Sequence, residues 1–258
     1  MKLMRNIAVA FSLYSRIPMP QFKWQDQDMK HNLVFLPWIG GVIGGIYLLL
    51  IKIFSMVELP LIFRVAFFTL IPLVVTGGFH LDGFMDVEDG LRSYKSKEEK
   101  LEILKDPHIG AFAIIGLIKL GLVWLGSMGL ILDNLDRGIM VIMAIMFFTV
   151  RAMAGITSII FKHAKKDGML NMETQKISRI DLISLIAELL ISIILMLLVD
   201  WVAGLSLIIG ILIFTIYYKN LTYKEFGGVT GDTAGFYIVF GEGICLFILA
   251  MISLFKLM

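Results

Sequence analysis

The sequence predicts an all-α fold: a polytopic integral membrane helical bundle of about seven transmembrane helices, with an N-terminal interfacial or re-entrant helix. Three observations carry this. Of 258 residues, 58% are hydrophobic and 17% charged, against roughly 45–50% and 25% in a soluble domain. Seven apolar runs are long enough to cross a bilayer, which takes about 20 residues. And 17 of the 23 basic residues fall in segments that these runs would place on one side of the membrane.

Each element follows from hydropathy and punctuation. Met4 to Leu13 is apolar but too short to cross, and no small-residue cleavage site follows it. It reads as the interfacial or re-entrant helix rather than a signal peptide. The crossings are expected over residues 34–57, 61–79, 111–132, 138–161, 182–199, 201–218 and 235–257. Between them lie Glu58-Leu59-Pro60, the polar stretch 80–110, Asp133 to Arg137, the polar stretch 162–181, Asp200, and residues 219–234. The apolar runs leave no room for a separate soluble domain, so residues 1–258 read as one membrane-embedded domain. In the first crossing, Gly40-Gly41 and Gly44-Gly45 repeat small residues at four-residue spacing, which lets a second helix approach closely.

Charge sets the orientation. Residues 1–33, 80–110, 162–181 and 219–234 share one side, while the other holds only Arg137 and Lys256. Lysine and arginine favour the cytoplasmic side, so this side is expected to be cytoplasmic, in a cytoplasmic (inner) membrane. The net charge of +2 gives no basic excess, so no nucleic-acid partner is expected. The single cysteine, Cys245, lies in an apolar run and reads as a small core or lipid-facing residue.

The chemistry gathers in three clusters on the predicted cytoplasmic side. The first runs from Gly77 to Gly90, GGFHLDGFMDVEDG. In a helix Asp82, Asp86 and Asp89 share one face at i, i+4 and i+7, and Glu88 is rotated away. Three stacked like charges repel, and a divalent cation would relieve them. Oxygen ligands without a His/Cys cluster favour Mg²⁺ or Mn²⁺ over zinc. His80 precedes the first aspartate and is a candidate phosphate contact or carboxylate-orienting group. The second cluster is Lys105 to Phe112, KDPHIGAF, where Asp106 is either an N-cap or a metal or substrate contact. The third is Gly227 to Gly235, GGVTGDTAG, whose glycines and following helix N-terminus suit an anion. Within the last crossing, Glu242 needs a partner, and Arg64, Lys119 and Arg151 are the candidates. Arg16, Lys105, Lys165 and Lys166 are cations on the same side. Together these groups make a kit for phosphoryl transfer, without a Walker A or kinase signature.

The Gly77–Gly90 stretch, LKDPHIGAF at 104–112 and GGVTGD at 227–232 resemble the signature of the adenosylcobinamide-GDP ribazoletransferase (cobalamin synthase) family, as do FSLYSRIPMP at 11–20 and FLPWIGG at 35–41. Ala113, His108 and Lys165-Lys166 depart from the usual pattern. The resemblance implies an enzyme that completes the nucleotide loop of vitamin B12. It would join adenosylcobinamide-GDP to α-ribazole, or its 5′-phosphate, releasing GMP, with Mg²⁺ as cofactor. On that reading Asp82, Asp86 and Asp89 are the metal ligands. With Asp106 they form the catalytic set, and Asp89 or Asp106 is the base for the ribazole hydroxyl. His80, Gly83, Arg16, Lys105, Gly228, Gly231 and Asp232 are the substrate or phosphate contacts. The lipid bilayer is the other partner, and assembly into a homo-oligomer is left open. The alternatives are a CDP-alcohol phosphatidyltransferase-type phospholipid synthase, whose longer aspartate motif is not matched here, and a transporter, for which no internal repeat is visible.

Overall fold

The computed structural model describes residues 2–23, 31–165, 168–175 and 177–256. Lys166, one of the expected cations, lies outside them. The described residues form α1 (Lys2–Tyr14), α2 (Asn32–Phe54), α3 (Leu61–Thr76), α4 (Phe79–Arg92), α5 (Lys97–Ile103), α6 (Ala111–Asn134), α7 (Arg137–Ile160), α8 (Met169–Thr174), α9 (Arg179–Val199), α10 (Trp201–Glu225) and α11 (Gly231–Phe255). Among them there is no strand, only an isolated bridge between His163 and Val229.

Six helices (α2, α6, α7, α9, α10 and α11) are long and apolar enough to cross a membrane, and α3 makes up to seven when counted with its bent partner α4. The expected crossings agree with these elements within a few residues at most ends. The seventh needs a physical comment. Gly77 and Gly78 both adopt positive φ, 66° and 80°, which glycine tolerates without a Cβ penalty. They turn the chain by 93° between α3 and α4. We read α3 as the crossing helix and α4 as lying across its end, outside the crossing helices.

Helix α7 is the centre of the bundle: 78% of its most apolar window is buried, against 50% or less for the others. Its tightest neighbour is α2. A Cβ on Gly40 or Gly44 would collide with the backbone carbonyls of Phe147 and Ala144 on α7, so the small-residue stripe does bring two backbones together. Tyr47 closes that interface with edge-to-face rings from Phe68 and Phe147 and donates its hydroxyl to the Phe68 carbonyl at 2.6 Å. Cys245 is fully buried in the core.

The two ends of the bundle differ. At one, Lys256 bridges Asp136 at 3.1 Å and Asp200 at 2.5 Å, and Asp200 caps α10 through the Ala203 N–H at 3.0 Å. That aspartate is what divides the fifth and sixth expected crossings. At the other end lie α4, α5, α8 and all three sequence clusters.

Candidate active site

Helix α4 is held against α11 by missing side chains. A Cβ on Gly83 would come within 2.8 Å of the Asp232 backbone, and one on Gly235 within 2.9 Å of the His80 carbonyl. Phe84, Phe236 and Phe240 stack beside this crossing, with centroids 5.2 to 6.4 Å apart. The bare edge of α4 thus brings Asp232, in the first turn of α11, to the carboxylate face. Thr230 starts that helix, accepting the Thr233 N–H on its hydroxyl at 3.2 Å.

Asp82 is exposed and Asp86 half-buried. Neither side chain makes a hydrogen bond or ion pair among the described residues. Burial pushes the Asp86 carboxyl up to about 7, helped by the charges of Asp82, Asp232 and Asp89. Four carboxylates therefore feel one another here, and among the described residues no cation pairs with Asp82 or Asp86.

The third expected ligand is differently engaged. Asp89 accepts the Gly110 N–H at 2.7 Å and the Ala113 N–H at 2.9 Å, using both oxygens to satisfy the N-terminus of α6. An anion is favourable there because the first helical N–H groups lack intrahelical partners. A side chain at Gly110 would displace this carboxylate: a Cβ would lie 2.5 Å from Asp89 Oδ1. Asp106 does not cap α6. It is exposed, and its Oδ1 accepts the His108 N–H at 3.0 Å and meets His108 Nδ1 at 2.6 Å. The His108 backbone N–H, with its ring, holds the Asp106 carboxyl below the usual range.

The third cluster is a junction as well as a loop. The Gly228 N–H donates to the Thr222 carbonyl at 3.1 Å, and Val229 and Ala164 complete a two-bond clamp with the 162–164 segment. A Cβ on Gly228 would overlap that segment, whereas Gly231 fronts open space. So Gly231, not Gly228, offers the open approach beside Asp232.

The expected cations that are described lie at the same end of the bundle, and of them Lys165 acts on Asp232. Arg16 lies over the Gly77 turn, where a Cβ would meet its side chain, and its own N–H donates to the Val75 carbonyl at 2.7 Å. Lys105 pairs with Glu102 at 2.8 Å. Lys165 donates to the Leu101 carbonyl at 2.9 Å, and burial and then the nearby Lys105 lower its pKa. On the opposite face of α4, Glu88 meets Lys119 at 3.8 Å beside a cavity of about 770 Å³. His80 is buried and also faces away from the carboxylates, stacked on Tyr14 at 6.5 Å. Glu242 pairs with Arg151, not with Arg64 or Lys119.

Among the described residues no three His, Cys, Asp or Glu side chains converge closely enough to enclose a metal ion. The donor set nevertheless fits a hard divalent cation whose remaining ligands come from elsewhere: two partnerless carboxylates, a third nearby, and no thiolate or imidazole. Mg²⁺ is commonly held by one or two carboxylates together with substrate phosphates and water.

A comparison with known sequences decides the family. The profile described as cobalamin-5-phosphate synthase matches residues 6–250. The chain belongs to the cobalamin-5-phosphate synthase family. Curated relatives bear the name adenosylcobinamide-GDP ribazoletransferase. The protein of Lachnoclostridium phytofermentans is 39% identical over 93% of this chain and 90% of its own. That of Clostridium botulinum (strain Alaska E43) is 32% identical over 95% and 96%, and that of Clostridium perfringens (strain ATCC 13124) 31% over 96% and 98%. No solved structure matches the chain significantly. Family membership covers every cluster described above, from Arg16 to Asp232.

Proposed function

We propose that this protein is an adenosylcobinamide-GDP ribazoletransferase. It joins adenosylcobinamide-GDP to α-ribazole, or to its 5′-phosphate, and releases GMP, working at the cytoplasmic face of the cytoplasmic membrane. The observation that carries this reading is the pair Asp82 and Asp86, whose side chains have no partner among the described residues, set against Asp232 within a chain whose family match spans residues 6–250. Nothing in the structure or the relatives favours a phospholipid synthase, and the lysine and arginine distribution supports the orientation.

The chemistry is an in-line displacement. The ribazole 3′-hydroxyl oxygen forms a bond to the phosphorus attached to the corrinoid. The bond from that phosphorus to the bridging oxygen breaks, and GMP leaves with that oxygen and its electron pair. The hydroxyl proton passes to a carboxylate or to solvent. Asp82 and Asp86 would hold Mg²⁺, with Asp232 beside them. When bound, the ion would neutralise charge on the diphosphate and orient its phosphorus. Asp89 acts differently: it fixes α6 to α4 and so sets the pitch of the carboxylate face. Lys165, Lys105 and Arg16 supply positive charge for diphosphate oxygens. Gly231 leaves the α11 N-terminus open to an anion.

The test is to incubate purified protein with adenosylcobinamide-GDP, α-ribazole and Mg²⁺ and to follow GMP and the completed corrinoid by mass spectrometry. Both products are expected in equal amounts. Products from CDP-diacylglycerol instead would replace this reading with the phospholipid one.

A further inference from the structure

The reaction described above leaves a large space on the other side of α4 unused. The cavity of about 770 Å³ beside Glu88 is bounded by α6 and α10, with α11 between them as its floor and α4 and α5 at one end. Phe84 of α4 and Phe236 of α11 line it and are buried, so they form its back wall. Val123, Tyr217 and Phe247 line it and are exposed, so they form its mouth. That mouth opens sideways between two crossing helices, where the bilayer lies.

The charged part of the lining is confined to one end. It comprises Glu88 and Arg92 of α4, Lys100 of α5, Lys119 in the first half of α6 and Glu225 at the end of α10. Lys100 pairs with Glu225 at 2.5 Å, and Lys119 meets Glu88 at 3.8 Å. The Arg92 side chain makes no hydrogen bond or ion pair among the described residues. Three cations against two carboxylates leave one positive charge over, the complement of a single phosphodiester. Beyond these groups the wall is apolar. From Phe236 to Phe247 the α11 floor runs about 16 Å at ~1.5 Å per residue, roughly half of the ~30 Å hydrocarbon core. The space therefore has the length of one leaflet. A crossing helix from a second copy would call for a groove along the whole height of the bundle, whereas an acyl chain fits this one.

We propose that this cleft binds one anionic phospholipid from the leaflet on the side of the three sequence clusters. Its phosphate lies at Arg92 and Lys119, and an acyl chain runs along Phe236, Phe240 and Phe247. Anionic headgroups are attracted to basic residues at the membrane surface, which selects the lipid, and the apolar floor holds its chain. Phe84 and Leu91 meet that chain from the face of α4 opposite Asp82 and Asp86, and Phe84 stacks on Phe236 at 5.7 Å. The lipid thereby backs the helix that presents the carboxylates.

Full-length protein, stripped of lipid in dodecylmaltoside and titrated with dioleoylphosphatidylglycerol or dioleoylphosphatidylcholine, tests this by native mass spectrometry. The first phosphatidylglycerol should bind at least about tenfold more tightly than the next one and than the first phosphatidylcholine, as two basic residues near a membrane surface supply. Arg92→Gln should weaken that first site about fivefold, the loss expected for one such residue. Val123→Trp, which fills the mouth without touching a charge, should weaken it further, and serves alone if Arg92→Gln folds poorly. Phosphatidylglycerol binding with no preferred first molecule overturns the proposal, as does a first site that either folded variant leaves untouched. One-for-one displacement of that lipid by adenosylcobinamide-GDP would give the cleft to the corrinoid and also overturn it. So would a dimer that forms only when the first lipid is absent, which would make the cleft an interface between copies. The lipid count is independent of GMP production, so failure here and failure of the proposed reaction are separate results.

Discussion

Asp89 Oδ2 accepts the Gly110 backbone N–H at 2.7 Å, joining two residues that lie 21 positions apart and fixing the start of α6 to the last turns of α4. This contact separates Asp89 from the two aspartates it resembles in sequence. Its negative charge and both its oxygens serve a helix N-terminus. The side chains of Asp82, exposed, and Asp86, half-buried, have no partner among the described residues.

Replacing Asp89 therefore affects stability first. Asp89→Ala should cost about 1–2 kcal/mol, the usual loss on removing a helix cap, seen as a lower Tm in detergent. Asp89→Asn, which keeps one acceptor oxygen, should retain more of both Tm and turnover than Asp89→Ala. Equal and complete loss of turnover in Asp89→Asn, with Tm unchanged, would instead make Asp89 a direct ligand.

Gly83→Ala tests the approach of α4 to α11. The new methyl would meet the Asp232 backbone at 2.8 Å, and backbone yields less readily than a side-chain tip. The expected cost is about 1–3 kcal/mol, as for overpacked cores. Turnover should fall as well, because the same shift carries Asp232 away from Asp86. A Tm and turnover like those of the parent protein would show that the two helices are not in register through Gly83.

The Arg151–Glu242 pair is buried on both sides, with 1% and 3% of the side chains exposed. Removing one partner strands a charge, so Glu242→Gln or Arg151→Met should destabilise by about 3–5 kcal/mol. The double variant Arg151→Met, Glu242→Met should recover much of that loss in thermal melts. Additive losses in the double variant would contradict the pairing.

Asp86 predicts a pH dependence in metal-free protein. Its carboxyl is raised to about 7, chiefly by burial and then by Asp82, Asp232 and Asp89. A raised acid binds more protons folded than unfolded between the two pKa values, so stability should fall as pH rises through that window. With EDTA present, Tm should be lower at pH 8 than at pH 6, and Asp86→Asn should flatten that part of the slope. A slope of the same size in Asp86→Asn would assign the effect to other groups.

Much of this was legible in the sequence, because bilayer crossing is a local demand on composition. The crossings, the Gly40/Gly44 contact and the gathering of three clusters at one end all follow from residues that need no distant partner to be read. What the sequence does not show is long-range. Nothing near Asp89 says that its oxygens are claimed from Gly110 and Ala113. Nothing near Gly228 says that its N–H goes to Thr222 while its bare Cα admits Lys162 to Ala164. Asp106 reads in sequence as either a cap for α6 or a metal or substrate contact; the turn through Pro107 directs it to His108 and leaves the α6 N–H groups to Asp89 of α4. His80 sits beside Asp82 in sequence, yet helical rotation sends it to the other face of α4, into the bundle. The Gly77-Gly78 turn was visible as glycine, but its 93° bend depends on two successive positive φ values that composition alone does not specify.

The central claim is that Asp82 and Asp86 hold the divalent cation for diphosphate displacement. The direct measurement is Mg²⁺-dependent formation of GMP and completed corrinoid by Asp82→Asn and Asp86→Asn, each shown to be folded by its Tm. The account predicts at least about a hundredfold loss of turnover in both, of the order seen when a charge-stabilising group is removed, together with a raised Mg²⁺ requirement in any residual activity. Near-parental turnover at the parental Mg²⁺ concentration in both variants would contradict it.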